Sequence, residues 1–257
     1  MLLTRPCHRP EFLLAHQLGV EAHINRYDRL PDWEQYIPFV RGVHLPYSGF
    51  NLAAFDDQLR QESLAQLKTA LLVGRQYPVD RMVMHTVGIK SRNGEIIGDY
   101  ERLIDGLQEF AAFAAEQQII LCLENAVHNN PERVQAFGNT AAEWFQIQRD
   151  VNRPNVLLTL DSSHAATSAA LYATAAEREE RIFDFLAQPE LIGRLHWSDS
   201  RLRNQEALYN DMHLVPGEGD LPRLFHQRLK QLPVIKLLEQ MRPEADVLAS
   251  LAFIDTL

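Results

Sequence analysis

Cysteine is scarce in this 257-residue chain, with only Cys7 and Cys122 present. Both fall in apolar runs that read as strands, and they give no paired framework, which fits a reducing compartment better than a disulfide-stapled domain. Positive charge is also short. Lys and Arg number 25 against 34 Asp and Glu, a formal net charge of −9. That balance argues against a nucleic-acid partner, because phosphate binding is mostly a matter of Lys and Arg. Bound divalent cations would nevertheless reverse the sign inside a pocket. No apolar run reaches the ~18 residues of a membrane span, and the N-terminus lacks the basic-then-apolar order of a signal peptide. The expectation is a soluble, cytoplasmic protein with no membrane partner. The 12 glycines never gather into a Gly-rich loop after a strand, which removes the commonest dinucleotide-binding fingerprint. No repeat, linker or composition shift marks a second domain. Nothing in the pattern bears on oligomeric state.

What is present is strand–helix alternation. Residues 20–24, 42–45, 81–85, 119–125, 155–161, 193–199 and 234–239 are short apolar runs. Their near-continuous hydrophobicity is that of parallel strands buried on both faces. MLLTR at the start supplies an eighth. Between them lie helical periods. Leu59, Leu64, Leu67, Leu71 and Leu72 recur within 56–75, and Leu103, Leu107, Phe110 and Phe113 within 99–118. Asn139-Thr140 reads as a cap for the helix holding Trp144 and Phe145, stopped by Asn152-Arg153-Pro154. Helices over 177–186 and 221–232 continue the series. Eight such units predict a (β/α)8 TIM barrel filling residues 1–257 as one domain. A chain this long buries about three quarters of its extended surface and needs no metal merely to fold. A metal site here points to function.

Polar residues stand where the strands end. His44, His85, Glu124, Asp161, His196 and Glu239 close or nearly close six of the runs, and the C-terminal rim is where barrels assemble sites. His164 follows Asp161 by three residues, and Asp211 and His213 sit two apart in the loop after the seventh strand. Any one such residue is more often a hydrogen-bonded structural group than a ligand. Two of them, Glu124 and Asp161, end apolar runs, where an ionised carboxylate is costly unless paired or bound to a cation. Together the nine offer His nitrogen and carboxylate oxygen, which suit Zn, Mn, Fe or Co. They exceed what one tetrahedral ion needs and suffice for two or three ions sharing bridging carboxylates.

From His44 to Glu239 the chain resembles AP endonuclease family 2, typified by endonuclease IV, within the xylose isomerase-like TIM barrels. HLPYSGFNL, MHTVG, LEN, LDSSHAA, HWSDS, DMHLVPGEG and LLEQ carry the likeness. It implies a trinuclear set, most simply zinc, made of His44, His85, Glu124, Asp161, His164, His196, Asp211, His213 and Glu239. It implies abasic DNA as substrate, cleaved by metal-assisted phosphodiester hydrolysis in which Glu124 and Glu239 bridge metals and Glu239 or a metal hydroxide orients the nucleophile. Departures occur at Thr86-Val87 after His85, in NAVHNNPE and in the first strand, and all bear on the substrate cleft. For substrate contacts the reading singles out Tyr47, Arg26 in the loop NRYDRLPDW, and Arg201 in SDSRLRNQ. Against these stand a cleft-floor tyrosine, a helix-starting loop and an exposed basic turn. Asp199, three past His196, is either an acceptor for a ligand histidine or a helix cap.

Two rivals remain. A sugar or sugar-phosphate isomerase or epimerase of the same fold would hold one Mn or Co ion near Glu124, Asp161, His196 and Glu239 and move a proton between carbons with the two glutamates. Its partner would be a small, phosphorylated sugar. A non-catalytic scaffold that has kept its ligands ranks last, because clustered carboxylates carry an electrostatic cost that function usually explains.

Overall fold

A computed structural model describes residues 1–24, 34–128, 134–203, 211–240 and 243–257. Eight parallel strands close in sequence order into a barrel. They are β1 (Leu2–Thr4), β2 (Gly19–His23), β3 (Val40–His44), β4 (Arg81–His85), β5 (Ile120–Glu124), β6 (Val156–Asp161), β7 (Ile192–Trp197) and β8 (Ile235–Leu238). Each lies within or beside a run that the hydrophobic pattern marks, because a strand covered on both faces has no polar side to show. Cys122 is in β5 as expected. Cys7 is not in a strand; β1 stops at Thr4 and the chain turns, with the Cys7 N–H donating to Arg5 O.

The helices are α1 (Pro10–Ala15), α2 (Asp57–Gly74), α3 (Tyr100–Glu116), α4 (Ala141–Val151), α5 (Ser162–Ala169), α6 (Ala175–Arg181), α7 (Arg223–Gln231) and α8 (Glu244–Asp255). Side-chain caps start three of the longer ones. Asp56, Asp99 and Thr140 each accept an N–H from the first turn of α2, α3 and α4. Asn152 ends α4 in the left-handed region, φ 47°, where Asn is tolerated. The single helix expected over 177–186 is instead α6 followed by a 3-10 turn, Ile182–Leu186. A three-stranded antiparallel sheet, built from Ile89–Arg92 and Glu95–Ile96 after β4 and Val134–Ala136 after β5, was not expected. Its strands are two to four residues long, too short for an alternation to register. Trp144, Phe110, Phe185 and Phe225 fill the layer between helices and barrel. Among the described residues no helix is long and apolar enough to cross a membrane.

Candidate metal centre at the barrel mouth

The strand ends bring the predicted residues to one place. His44, His85, Glu124 and Asp161 are the last residues of β3, β4, β5 and β6, His196 is the penultimate residue of β7, and Glu239 follows β8 directly. Registers of His85 with Glu124 and of His196 with Asp161 set neighbouring strand ends at one height. His164 stands in the first turn of α5, which Asp161 caps through Oδ1 on the His164 N–H at 2.9 Å. Capping leaves Asp161 Oδ2 for the mouth. Asn125 ties β5 to β6, accepting from the Asp161 N–H at 2.7 Å and donating to Asp161 O at 3.0 Å.

Three overlapping groups have ligand atoms within 4.8 Å of one another: Glu124, Asp161, His196 and Glu239; His44, His85 and Glu124; Asp161, His164 and His213. His196 Nδ1 lies 2.9 Å from Glu239 Oε2, 3.3 Å from Glu124 Oε1 and 3.9 Å from Asp161 Oδ2. All four of these atoms are buried without a hydrogen-bond partner. Four converging donors left unsatisfied would cost far too much if nothing neutralised them, so the group fits a divalent cation. Two flanking histidines have fixed tautomers. His44 Nδ1–H donates to Leu45 O at 2.6 Å and His164 Nδ1–H to Asn125 O at 2.8 Å. Their Nε2 atoms are thereby turned to carboxylates, at 3.1 Å from Glu124 for His44 and 3.9 Å from Asp211 for His164. Asp211 and His213 pair with each other at 3.0 Å.

Burial and charge pull these groups in opposite directions. Burial alone would raise Glu124 and Glu239, but the His196 charge beside both, with His85 near Glu124 and His213 near Glu239, holds each well below the usual carboxylate range. Burial would lower His196, yet Glu124, Glu239 and Glu21 hold it well above 6.5. His213 is raised to about 10 against its burial, chiefly by Asp211. Asp161 follows its burial up to about 7, and burial takes His85 down to about 4. In the absence of a cation, protons on histidine carry the compensating charge.

Tyr47 is 54 % exposed and stacks on His85, ring centroids 4.7 Å apart, beside the mouth. Arg201 Nη1 donates to Asp220 Oδ1 at 3.0 Å, a local ion pair of the kind a basic turn makes. Arg26 lies outside the described residues. Asp199 turns away from His196. It accepts from His226 Nε2 at 3.1 Å, Gly217 N at 2.8 Å and Leu221 N at 3.2 Å. It therefore anchors the loop that carries Asp211 and His213, rather than orienting a ligand histidine or capping a helix. Gly219 lies so close that a Cβ there would meet Asp199 Oδ1 at 2.0 Å. His226, assigned no role from sequence, completes this anchor by accepting from Trp197 Nε1 at 3.0 Å.

Three more residues of the site carry little signal in the sequence. Arg5 pairs with Glu239 from the loop after β1. Glu21 reaches His196 Nε2, and His23 stacks on His44 at 4.7 Å. VEAHI reads as an apolar strand, and only the period-two spacing of its Glu and His, placing both on one face, hints that they share the barrel interior.

A family model described as a xylose isomerase-like TIM barrel matches residues 34–257. A D-psicose 3-epimerase of Agrobacterium fabrum is 31 % identical over 127 residues, 49 % of this chain and 35 % of that relative's own length. The shared stretch is thus about a third of the relative. Among solved structures, a D-tagatose 3-epimerase-like protein aligns over 100 % of this chain and 98 % of its own, with a TM-score of 0.72 at 17 % identity. The IOLI protein with a bound zinc atom aligns over 100 % and 95 %, with a TM-score of 0.65 at 19 % identity. Those two likenesses establish the fold.

The comparisons overturn the expected phosphodiester hydrolase and, with it, abasic DNA and DNA repair: they match a D-psicose 3-epimerase and a D-tagatose 3-epimerase-like protein. The physical reason is that a His and carboxylate set at a barrel mouth serves either chemistry. The loops that would have told them apart are where the sequence departs from the nuclease pattern.

Proposed function

The chain belongs to the xylose isomerase-like TIM barrel family, and on that premise we propose that it is a metal-dependent epimerase or isomerase of a small keto sugar. The observation that carries this reading is the convergence of Glu124 Oε1, Asp161 Oδ2, His196 Nδ1 and Glu239 Oε2, buried and otherwise unpartnered, at the barrel mouth. These four residues would hold one divalent cation, with Mn, Co, Fe and Zn all compatible with such donors. When bound, the cation supplies Lewis-acid polarisation of a sugar's carbonyl and neighbouring hydroxyl oxygens. The remaining work falls to side chains.

Glu239 and Glu124 reach the centre from β8 and β5, on either side of the β6–β7 pair. Glu239, kept anionic by His196 and His213 and paired with Arg5, takes the proton from the carbon beside the carbonyl. The electron pair moves onto the carbonyl oxygen. Glu124, anionic at rest, relays a solvent proton to the opposite face of that carbon, which inverts it, and the proton on Glu239 passes to solvent. His85, 3.5 Å from Glu124 Oε2 with its side chain 25 % exposed, brings the relayed proton from solvent. In this scheme His44, His164 and His213 stand around the substrate rather than completing separate ion sites, and Tyr47 offers its exposed ring to the sugar's apolar face. An ion count of two or three, the alternative that the nine-residue set allows, would instead engage those histidines as ligands.

The test is conversion of D-psicose, D-tagatose and D-fructose by protein loaded with Mn or Co, followed by chromatography. The expected result is interconversion at carbon 3 that chelator abolishes and added metal restores. No conversion of any of these ketoses, nor of their phosphorylated forms, by fully loaded protein would sink the reading.

A further inference from the structure

The structure assigns Glu21 as the positioning residue of the metal centre: its carboxylate holds the Nε2–H side of His196 so that Nδ1 faces Glu124, Asp161 and Glu239. This rests on the metal reading above and deepens it. Glu21 is 1 % exposed, in the barrel interior on β2, two strands from β8 around the ring. Its Oε1 lies 3.2 Å from His196 Nε2 and 3.8 Å from His23 Nε2. Glu21 Oε1 and His196 Nε2 are both buried and neither makes a hydrogen bond of good geometry to any described residue, so each is the nearest polar group left to the other.

The barrel makes room for this contact. The β2–β3 register shifts between Val20 and Glu21, so that Val20 pairs with Val40 but Glu21 with Gly42. An irregularity of this kind re-aims a side chain. Here it sets the carboxylate beside the one residue of β3 that has no Cβ. A Cβ at Gly42 would stand 2.8 Å from Glu21 Oε2 and 3.1 Å from its Cγ. The step in register and the glycine opposite it are two independent accommodations of one buried acid.

The chemistry follows from the imidazole. A ring that offers the Nδ1 lone pair must carry its proton on Nε2. At this site Nε2–H is buried and would be unsatisfied without Glu21, at a cost a fully buried donor does not escape. A carboxylate behind a ligand histidine fixes its tautomer and ring orientation and raises its basicity as a ligand, and loss of such a partner weakens metal binding roughly 10–100-fold. Glu21 touches neither substrate nor reacting atoms in this account.

Two readouts test it without any sugar. In a competition titration of Mn against a chelating dye, Glu21→Ala is expected to raise the dissociation constant roughly 10–100-fold. Glu21→Gln, whose amide oxygen still accepts from Nε2–H, should raise it less, and it serves alone if the alanine variant does not fold. In zinc-loaded protein, long-range 15N–1H correlation should show His196 protonated at Nε2, with that signal shifted or broadened in both variants. A dissociation constant within twofold of wild type in both variants, or a His196 proton on Nδ1 in the wild type, would overturn the assignment. Inactivity towards every ketose leaves both readouts intact. A wild-type chain that binds neither ion overturns the inference together with the metal centre beneath it.

Discussion

The centre of the barrel mouth and its flank are made of the same residue types but held differently. Glu124, Asp161, His196 and Glu239 are at most 6 % exposed, stand at or beside strand ends, and each aims an unpartnered atom at a common point. On the flank, the His85 and His213 side chains are 25 % exposed. His213 sits on a loop with φ 44°, and the flanking groups borrow their carboxylates, Glu124 and Asp161, from the centre. A rigid, dry, oxygen-rich group suits an ion. The partly exposed side chains of His85 and His213 suit a substrate that must enter and leave. Counting ligands along the sequence weighs the nine alike, whereas the sharing of carboxylates separates them, since His44 and His164 are as buried as the central four.

The sharpest way to break this contrast is to remove one acid at a time. Glu124→Gln and Glu239→Gln should each lower kcat by roughly 10²–10⁴-fold, while His213→Ala should cost about tenfold or less. Equal losses at centre and flank in steady-state kinetics would erase the distinction. Next comes ion count. Elemental analysis of Mn-loaded protein should find one ion per chain, lost in Asp161→Asn and His196→Ala and kept in His44→Ala and His213→Ala. Retention of a second or third ion that disappears with His44 or His213 would place ligands on the flank.

Stability sharpens the comparison at its seam, where Asp199 clamps the loop bearing Asp211 and His213. Asp199→Ala leaves the His226 N–H and the Gly217 and Leu221 N–H groups without their acceptor. The expected cost is about 3 kcal/mol, read as a lower Tm with the barrel's circular dichroism retained.

A smaller effect is the pH dependence of the metal-stripped protein. The folded pKa of His213 is raised to about 10, above its unfolded value near 6.5. Its contribution is therefore fully present below pH 6.5 and is lost as pH rises through 10. Asp161, raised from 3.8 to about 7, also binds its proton more tightly when folded, so its contribution has the same sign over pH 3.8–7. Tm of the stripped protein should fall from pH 6.5 to 10 by the equivalent of about 1–2 kcal/mol, after allowance for the solvent at His213. Metal should flatten the slope. The smallest change expected is Arg201→Ala. Its pair with Asp220 is partly exposed, so stability should drop by less than about 1 kcal/mol and KM should stay within about twofold.

All eight barrel strands were legible because doubly buried strands are apolar end to end, and six of the nine rim residues because each interrupts such a run at the strand's exit. What was not legible is instructive. Glu21 and Arg5 reach the site from the first two strands, where β1 is three residues long. The register step that aims Glu21 is a property of strand pairing rather than of either strand. The Asp199 anchor joins residues 18 to 27 positions apart, and no local pattern encodes it. The chemistry was misjudged for a different reason. Ligand identity is shared across sugar and phosphoester enzymes of this fold, and substrate choice resides in loops whose sequence had only departures to show.

The central claim, that two carboxylates move one proton across a sugar carbon, is tested most directly by turnover of D-psicose or D-fructose in deuterium oxide with proton NMR. The account predicts that the product carries deuterium at carbon 3, because the proton taken by Glu239 is replaced through Glu124 and His85 from solvent. Product formed with its original hydrogen still at carbon 3 would contradict it.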